Sequence, residues 1–462
     1  MLGRTKRIHF VGIGGIGMSG IAEFLHNQGF EITGSDLQST EITEHLSQKG
    51  ITINKGHDPE LINNADVVVK SSAVSDDNPE VAVALAKKVP VIRRAEMLAE
   101  LMRMSYGIAI AGTHGKTTTT SMVGLILKEA ALDPTVIVGG KVKNFGSSNV
   151  MGSGKYIVVE ADEFDRSFLS LTPIIAGITN IEADHLDCYE NLEDIKNAFT
   201  QYANSVPFFG CIVACIDDIG VQSVMPLLNK RIISYGFSNQ ADVRADNIQM
   251  QDFVSEFDIY YRSQNLGRVQ LHLPGQHNIQ NALQAIAIAL ELDISFNVIN
   301  KAISCFSGVY RRFEFKGKIG DILLYDDYAH HPTEIIATLK GIKESSDRRI
   351  VAVFQPHLYS RTRDFSDDFG RSFFYSDVLI ITPIYPAREQ AIPGITGELL
   401  VNAAIKAGHK NATYISENDE IVPRLQELIS DNDLVITIGA GDIYKYGEIF
   451  MNRLKEEDDA KN

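Results

Sequence analysis

The chain is 462 residues long, 44% of them apolar, with a formal net charge of −16. That length exceeds one ordinary hydrophobic core and implies two or three domains. The charge argues against general nucleic-acid binding but leaves anionic small ligands open, because these read local loops rather than the whole field. No run of eighteen apolar residues occurs, so no membrane-spanning helix is expected. The opening MLGRTKRIHFVGIGGIGMSG mimics an export signal, but Gly12, Gly14, Gly15 and Gly17 interrupt its apolar part, and the cytoplasm is the expected location. Cys188, Cys211, Cys215 and Cys305 form neither a Cys-x-x-Cys pair nor a disulfide framework, which agrees with that compartment.

In chain order, IHFVGIG reads as a buried strand entering a Gly-rich turn, and MSGIAEFLHNQ as a helix stopped by Gly29. FEITGSD is a second strand ending at Asp36, DVVVKSSAV a third, and PEVAVALAKK a helix with Pro79 in its first turn. A new unit begins near Tyr106 with the strand GIAIAG, followed by YIVVEAD and IIAGITN. NIQNALQAIAIALEL and DISFNVINKAISCF are helices, and SGVYRRFE marks a boundary. Beyond it ILLYDDYAHH, RIVAVFQPH, DVLIITPIY and DLVITIGAG are strands running into polar loops, and KEEDDAKN is a frayed, solvated tail. Strands alternating with helices imply parallel sheets covered by helices, an α/β protein throughout.

Three stretches carry chemistry. In IAIAGTHGKTTTT a strand is followed by Gly112-Thr113-His114-Gly115-Lys116-Thr117 and a helix expected from about Thr118. The common phosphate loop has another Gly where this chain has Ile110. The shorter loop still offers glycines for close backbone approach, free N–H groups at a helix start, a lysine for terminal phosphates and a hydroxyl for Mg²⁺. EADEFDRSF and TNIEADHLD each follow a strand, placing Glu160, Asp184 and His185 as candidate metal groups. A lone histidine of this kind is more often structural. Together with the loop, however, the set suggests phosphoryl transfer with Glu160 and His185 on Mg²⁺ and Lys116 on the transferring group. At the N-terminus, Gly12, Gly14 and Gly17 have G-x-G-x-x-G spacing between a strand and a helix, with Asp36 ending the next strand. Read literally this predicts NAD, but any nucleotide diphosphate would satisfy the same physics. A dehydrogenase reading leaves the second loop unexplained, and a non-catalytic nucleotide sensor has no need of Lys116, Glu160 and His185 together.

The ordered set GTHGKTTTT, EADEFDRSF, TNIEADHLD, LPGQHNIQNALQA, GVYRRFE, DDYAHHPTE, FQPHLYSRT and IGAGDIY, preceded by GIGGIGMSG and SSAVSDDNPE, resembles the Mur ligases over nearly the whole chain. In that family the abbreviated phosphate loop is normal. The resemblance implies three domains: residues 1–104, Rossmann-like and UDP-sugar-binding; 105–308, a central P-loop ATPase; and 309–462, Rossmann-like and amino-acid-binding. It implies ATP-dependent ligation of L-alanine to the lactyl carboxylate of UDP-N-acetylmuramate through an acyl phosphate. The alternative is attachment of a whole murein tripeptide to the same UDP-sugar, which GIGGIGMSG disfavours. ATP and Mg²⁺ are the implied cofactors, no nucleic acid or membrane insertion is expected, and the chain would be a monomer or homodimer.

Residue by residue, the resemblance assigns Gly112, Thr113, His114, Gly115, Lys116, Thr117, Thr118, His277, Asn278, Asn281, Arg312 and Asp327 to ATP, and Thr117, Glu160 and His185 to Mg²⁺. It assigns Gly12, Gly14, Gly15, Gly17, Met18, Asp36, Ser71, Ser72 and Ala73 to the UDP-sugar. Tyr328, His330, His357 and Arg361 are assigned to alanine and the reacting carboxylate. Lys116, His185, Arg312 and Arg361 are the implied catalytic set. For Tyr328 and His357 the plainer account is ordinary loop structure, and Arg311 is read as a solvated charge. Several relatives carry a carbamylated lysine on the helix after the Asp-His motif. Here that position is Phe199, with Lys196 nearby but out of phase, so any such ligand must be replaced by water or another carboxylate.

Overall fold

The computed structural model describes residues 4–71, 73–184, 188–387 and 389–461. Three sheets are built in chain order. The first contains β1 (Arg7–Val11), β2 (Glu31–Asp36), β3 (Thr52–Lys55), β4 (Val67–Lys70) and β5 (Val91–Arg93), interleaved with α1 (Ile16–Asn27), α2 (Glu41–Gln48) and α3 (Pro79–Ala86) and followed by α4 (Arg94–Arg103). Its order is β3-β2-β1-β4-β5, every pairing parallel. The order reverses beside β1, so a crevice opens at that strand's carboxyl end. Local chemistry sets the boundaries. Asn78 caps α3 by accepting from Glu80 N at 3.0 Å, and Gly29 leaves α1 at φ +89°.

The second sheet begins with β6 (Tyr106–Ala111), α5 (Lys116–Glu129), β7 (Thr135–Val142), β8 (Ser147–Val150), β9 (Tyr156–Glu160) and β10 (Ile175–Ile178). It continues through α6 (Leu192–Asn204), β11 (Cys211–Cys215), α7 (Ile219–Val224), β12 (Ile232–Gly236), β13 (Val243–Gln251), β14 (Val254–Tyr261) and β15 (Gln264–Leu271), with α8 (Gln276–Glu291) and α9 (Phe296–Ser304) after it. The parallel core is β12-β11-β10-β6-β9-β7, with β8 antiparallel at one end and β13 to β15 beyond β12. β6 is central and fully buried from Gly107 to Ala111, as a strand covered on both faces must be. Phe199 of α6 is also fully buried, its ring 5.2 Å from Phe168 in an edge-to-face contact.

The third sheet is formed by β16 (Glu314–Ile319), β17 (Ile322–Asp327), α10 (Pro332–Ser345), β18 (Ile350–Phe354), α11 (Tyr359–Asp364), α12 (Ser366–Ser372), β19 (Val378–Ile381), α13 (Gly397–Lys406), β20 (Ala412–Tyr414), α14 (Ile421–Leu428), β21 (Leu434–Ile438) and α15 (Ile443–Lys461). Its order is β16-β17-β21-β18-β19-β20, with only β16 antiparallel. The tail is solvated as expected, Lys455 to Asp459 being exposed, but it is helical rather than frayed. α15 runs through Lys461, anchored by buried Ile443, Phe450 and Leu454, so the charged end continues an already docked helix. The chain gathers into two compact units: residues 1–246 with 258–268 and 280–306, and residues 247–257, 269–279 and 307–462. No helix among the described residues is long and apolar enough to cross a membrane.

Candidate active site

In the first unit, the Gly-rich turn leaves β1 at Gly12, whose φ is +80°. The Ser35 carbonyl accepts from Gly12 N at 2.9 Å and Ile13 N at 3.0 Å, and the Asp36 carboxylate accepts from Gly14 N at 2.8 Å. A Cβ at Gly14 would lie 2.8 Å from that carboxylate, and one at Gly17 would lie 3.1 Å from Arg94 Nη1. Gly15 caps α1 with no side-chain bond, leaving the first N–H groups of the helix directed at the turn. Ser71 N donates to Val11 O and Ala73 N to Ser71 Oγ, so the β4 loop borders the same turn. Met18 is different: its side chain is buried in the core behind the turn. Ser72 lies outside the described residues. A cleft of about 370 Å³ opens beside Asp36, lined also by Thr43, Asn54 and Lys55. Under the turn, fully buried Glu80 accepts from Ser35 Oγ at 2.7 Å and lies 3.2 Å from His9 Nε2. Burial alone would raise the Glu80 carboxyl, but its bonds to His9, Ser35 and Asp58 N hold it below the usual range.

The second turn leaves β6 at Gly112, φ +141°, and enters α5 after Gly115, φ +82°. α5 begins at Lys116, two residues earlier than expected from the sequence. A Cβ at Gly112 would sit 1.8 Å from Thr179 Oγ1 and one at Gly115 2.4 Å from Asn281 Oδ1, so both positions exclude side chains. The end of β10 fastens the loop: Thr179 Oγ1 donates to His114 O at 2.6 Å, and His114 N donates to Asn180 Oδ1 at 2.8 Å. Lys116 Nζ donates to Gly112 O, Thr113 O and Glu163 Oε1 at 2.6, 3.0 and 2.9 Å. Thr117 Oγ1 donates to both Glu160 oxygens at 2.9 and 3.0 Å, and Gly139 N donates to Glu160 at 2.7 Å. A hydroxyl and a carboxylate meeting at a helix start are hard oxygen donors of the kind Mg²⁺ takes. Asp184 is buried, while His185 lies outside the described residues.

Burial pushes the Glu163 carboxyl up to about 7, against the pull of Lys116. Burial works to lower Lys116, yet Glu163, Asp162 and Glu160 outweigh it and raise the lysine, so Lys116 keeps its charge. Thr118 is buried in the first turn of α5, and Asn281 accepts from Thr119 Oγ1 at 3.2 Å. Sequence reasoning passed over Glu163, Thr179 and Asn180, although all three lie inside the motifs it singled out.

In the second unit, Asn278 Nδ2 donates to Pro274 O at 2.8 Å, and His277 crowds Gly275, where a Cβ would be 2.7 Å from the ring. At the carboxyl ends of β17, β18, β19 and β21, Asp327 accepts from Ala329 N at 2.8 Å and Phe313 N at 2.9 Å. Burial pushes Asp327 up to about 6, opposed by Arg312 and those backbone donors. His330 Nδ1 lies 2.9 Å from Tyr328 O, and burial, reinforced by Arg361 and Arg312, lowers it to about 3, so its imidazole is neutral near pH 7. The rings of Tyr328, His330 and His357 follow one another at 5.4 and 5.8 Å, and Arg361 is buried beyond them. Arg312 lies over Tyr328 at 5.1 Å and reaches Glu334 at 3.4 Å.

Arg311 corrects the sequence reading. It is a fastened group rather than a solvated charge: it meets Asp326 at 3.1 Å, donates to Gly439 O at 2.6 Å and lies over Tyr328 and Tyr444. Leu358 holds φ +70° and ψ 136°, a conformation that costs a non-glycine residue on the order of 1–3 kcal/mol and that the surrounding loop must enforce.

Three largely parallel sheets, each with strand-end loops that gather charged and glycine residues, and a lysine-bearing Gly-rich loop in the central one define a nucleotide-dependent class of enzyme. Family profiles agree. Residues 7–106 match the Mur ligase family catalytic domain, 110–289 the Mur ligase middle domain and 311–441 the Mur ligase glutamate ligase domain, and the chain belongs to the Mur ligase family. Among its relatives, the UDP-N-acetylmuramate–L-alanine ligase of Salinibacter ruber is 51% identical over 458 residues, covering 99% of this chain and 96% of that protein. The crystal structure of the UDP-N-acetylmuramate-alanine ligase of Thermotoga maritima superposes with a TM-score of 0.79 at 29% identity, covering 98% of this chain and 100% of that one. A murein peptide ligase from Psychrobacter arcticus gives 0.67 at 26% identity, covering 97% and 98%.

Proposed function

We propose that this chain joins L-alanine to the lactyl carboxylate of UDP-N-acetylmuramate at the expense of ATP. The observation that carries the reading is end-to-end identity of 51% with an alanine ligase, joined to a lysine, a threonine and two carboxylates around one phosphate loop. The tripeptide alternative has weaker support, since likeness to the peptide ligase is lower in both identity and superposition.

A carboxylate is a poor electrophile until one oxygen becomes a leaving group. ATP supplies it: the lactyl carboxylate attacks the γ-phosphorus, ADP leaves, and an acyl phosphate forms. The amine of alanine then attacks the carbonyl carbon, and the tetrahedral adduct expels phosphate. The first step brings two anions together, so fixed cations in a site with little water lower its barrier most. We assign Lys116 to the γ-phosphate and Thr117, Glu160 and His185 to Mg²⁺. Mg²⁺, when bound, neutralises phosphate charge. The backbone of residues 112 to 115 cradles the phosphates, and His277, Asn278, Asn281, Arg312 and Asp327 are proposed nucleotide contacts. The Gly12–Gly17 turn is proposed to take the diphosphate of the UDP-sugar, with Asp36 and its cleft taking the nucleoside end; the cleft's volume suits a small ligand. Tyr328, His330, His357 and Arg361 are proposed contacts for alanine and the reacting carboxylate. Residues 1–104, 105–308 and 309–462 are the corresponding proposed domains.

The test is incubation with ATP, Mg²⁺, UDP-N-acetylmuramate and either L-alanine or the murein tripeptide. Phosphate release and a UDP-sugar product heavier by one alanine residue are expected with alanine alone. Turnover with the tripeptide but not with alanine would overturn the reading.

A further inference from the structure

The loop that carries His357 and Arg361 is held by a second loop that none of the assignments above uses. Tyr385 N donates to Pro356 O at 2.8 Å and Leu358 N donates to Tyr385 O at 3.1 Å, so the two backbones bridge on either side of His357. The Tyr385 ring lies parallel to the His357 ring, with centroids 6.0 Å apart and planes 13° from each other. It also lies against Gly441, where a Cβ would come within 2.6 Å of the phenol ring. On the far side of the strained Leu358, Glu389 takes both donors of Ser360: the backbone N–H at 3.0 Å and the hydroxyl at 2.5 Å. Burial works to raise the Glu389 carboxyl, but those bonds from Ser360 and one from the Tyr359 backbone hold it below the usual range. Arg361 follows Ser360 directly, in the first turn of α11.

We propose that Tyr385 and Glu389 act as a strap that fixes His357 and Arg361 in working geometry. Glu389 is a positioning residue for the alanine-joining step. Ser360 is one residue from Arg361, and a carboxylate gripping both its donors fixes where the α11 helix starts and hence where the guanidinium lies. Tyr385 fixes the opposite end by limiting His357 to one ring orientation. The physical need is the strained Leu358 between them: a loop held in a conformation it does not favour relaxes unless it is fastened on both sides. Glu389 therefore acts through hydrogen bonds to the loop, not by offering its charge to the amine of the substrate. This inference rests on the ligase reading for its kinetic consequence, but the strap itself does not.

The experiment compares Glu389→Ala and Glu389→Gln in the full-length protein by two readouts. Hydrogen exchange over residues 356–361 reads the strap whatever the protein's activity. It should accelerate in Glu389→Ala and stay close to wild type in Glu389→Gln, whose carbonyl oxygen still accepts from Ser360 N and whose amide can bond the hydroxyl. Unchanged exchange in Glu389→Ala overturns the inference. Steady-state assays read the consequence. In Glu389→Ala, kcat/KM for alanine should fall roughly tenfold, the scale of losing one hydrogen bond to a charged group, with the dissociation constant of UDP-N-acetylmuramate unchanged. Glu389→Gln should recover most of that loss. A Gln variant as impaired as the Ala variant would show that charge, not fastening, is what Glu389 supplies, and would overturn the proposal. If wild-type protein fails to use alanine while the exchange result holds, the ligase reading has failed and the strap stands.

Discussion

Two strand-to-helix turns in the first unit share a plan and differ in their charges. At Gly12–Gly17 the Asp36 carboxylate accepts from Gly14 N, the Ser35 carbonyl, the Ser35 hydroxyl and Glu80 lie beneath, and Arg94 lies beside Gly17. At Gly112–Lys116 a part-buried cation is pinned by two carbonyls and Glu163, and a hydroxyl is pinned by Glu160. Backbone N–H groups at a helix start suffice to hold an anion that stays intact. Moving a phosphoryl group requires charge that can be met as it develops, and only the second turn has the lysine and the metal-type oxygens for that. On the proposed function, glycine spacing marks phosphate binding in both turns, and the neighbouring side chains separate holding from transfer.

That division can be broken at Lys116. Lys116→Ala should lower ligation by roughly 10³-fold or more, the scale at which a single cation acts on phosphoryl transfer. Calorimetry should find UDP-N-acetylmuramate binding within about twofold of wild type, the limit for a site that needs none of the removed charge. A large loss of UDP-sugar affinity in folded protein would merge the two turns into one site.

Phe199 sharpens the same contrast from behind the second turn. Its ring is buried against Phe168, and Lys196, on the same helix, is paired with Glu193 at 2.8 Å. Phe199→Ala should therefore act as a core cavity, lowering stability by roughly 3–5 kcal/mol in thermal or urea unfolding. Removing dissolved carbon dioxide should leave the rate unchanged, because no carbamate is expected. A reversible fall on degassing would move a metal ligand onto that helix.

A third strand-end carboxylate, Asp327, extends the comparison to the second unit. Asp36 bonds a turn and Glu160 a threonine, whereas Asp327 is enclosed and raised from 3.8 to about 6. The folded protein thus keeps a proton that the unfolded chain has already released. The contribution to stability is fullest below pH 3.8, declines as pH rises to about 6 and is level above that, by about 3 kcal/mol in all. Asp327→Asn should flatten that part of the stability profile, and an unaltered slope would show that the carboxyl is not enclosed. The smallest expected effect is at Gly14. Gly14→Ala places a Cβ 2.8 Å from Asp36 Oδ2 and should weaken UDP-sugar binding about tenfold without changing ATP affinity.

How much of this was legible in the sequence follows from the range of the interactions. The α/β plan, the two turns and the strand-end acids are local patterns of spacing and alternation. The pairing of Lys116 with Glu163 spans 47 residues, and no period connects them. Arg311 was misread for the same reason: its partners Asp326 and Gly439 lie 15 and 128 residues away, and charge type alone reads as solvated surface. Tyr385 and Glu389 were invisible because their role is to bond another loop's backbone, for which residue type gives no signal. The tail KEEDDAKN lacks apolar periodicity, and the helix through Lys461 continues the anchored turns before it.

On the proposed function, the second turn moves a phosphoryl group onto the carboxylate of the ligand held by the first. The most direct test labels the lactyl carboxylate of UDP-N-acetylmuramate with oxygen-18 and follows the label through turnover with ATP and alanine. Attack of that carboxylate on the γ-phosphorus, followed by expulsion of phosphate, predicts that one labelled oxygen per turnover appears in inorganic phosphate. Label confined to the amide product and never found in phosphate would rule out phosphoryl transfer to that carboxylate.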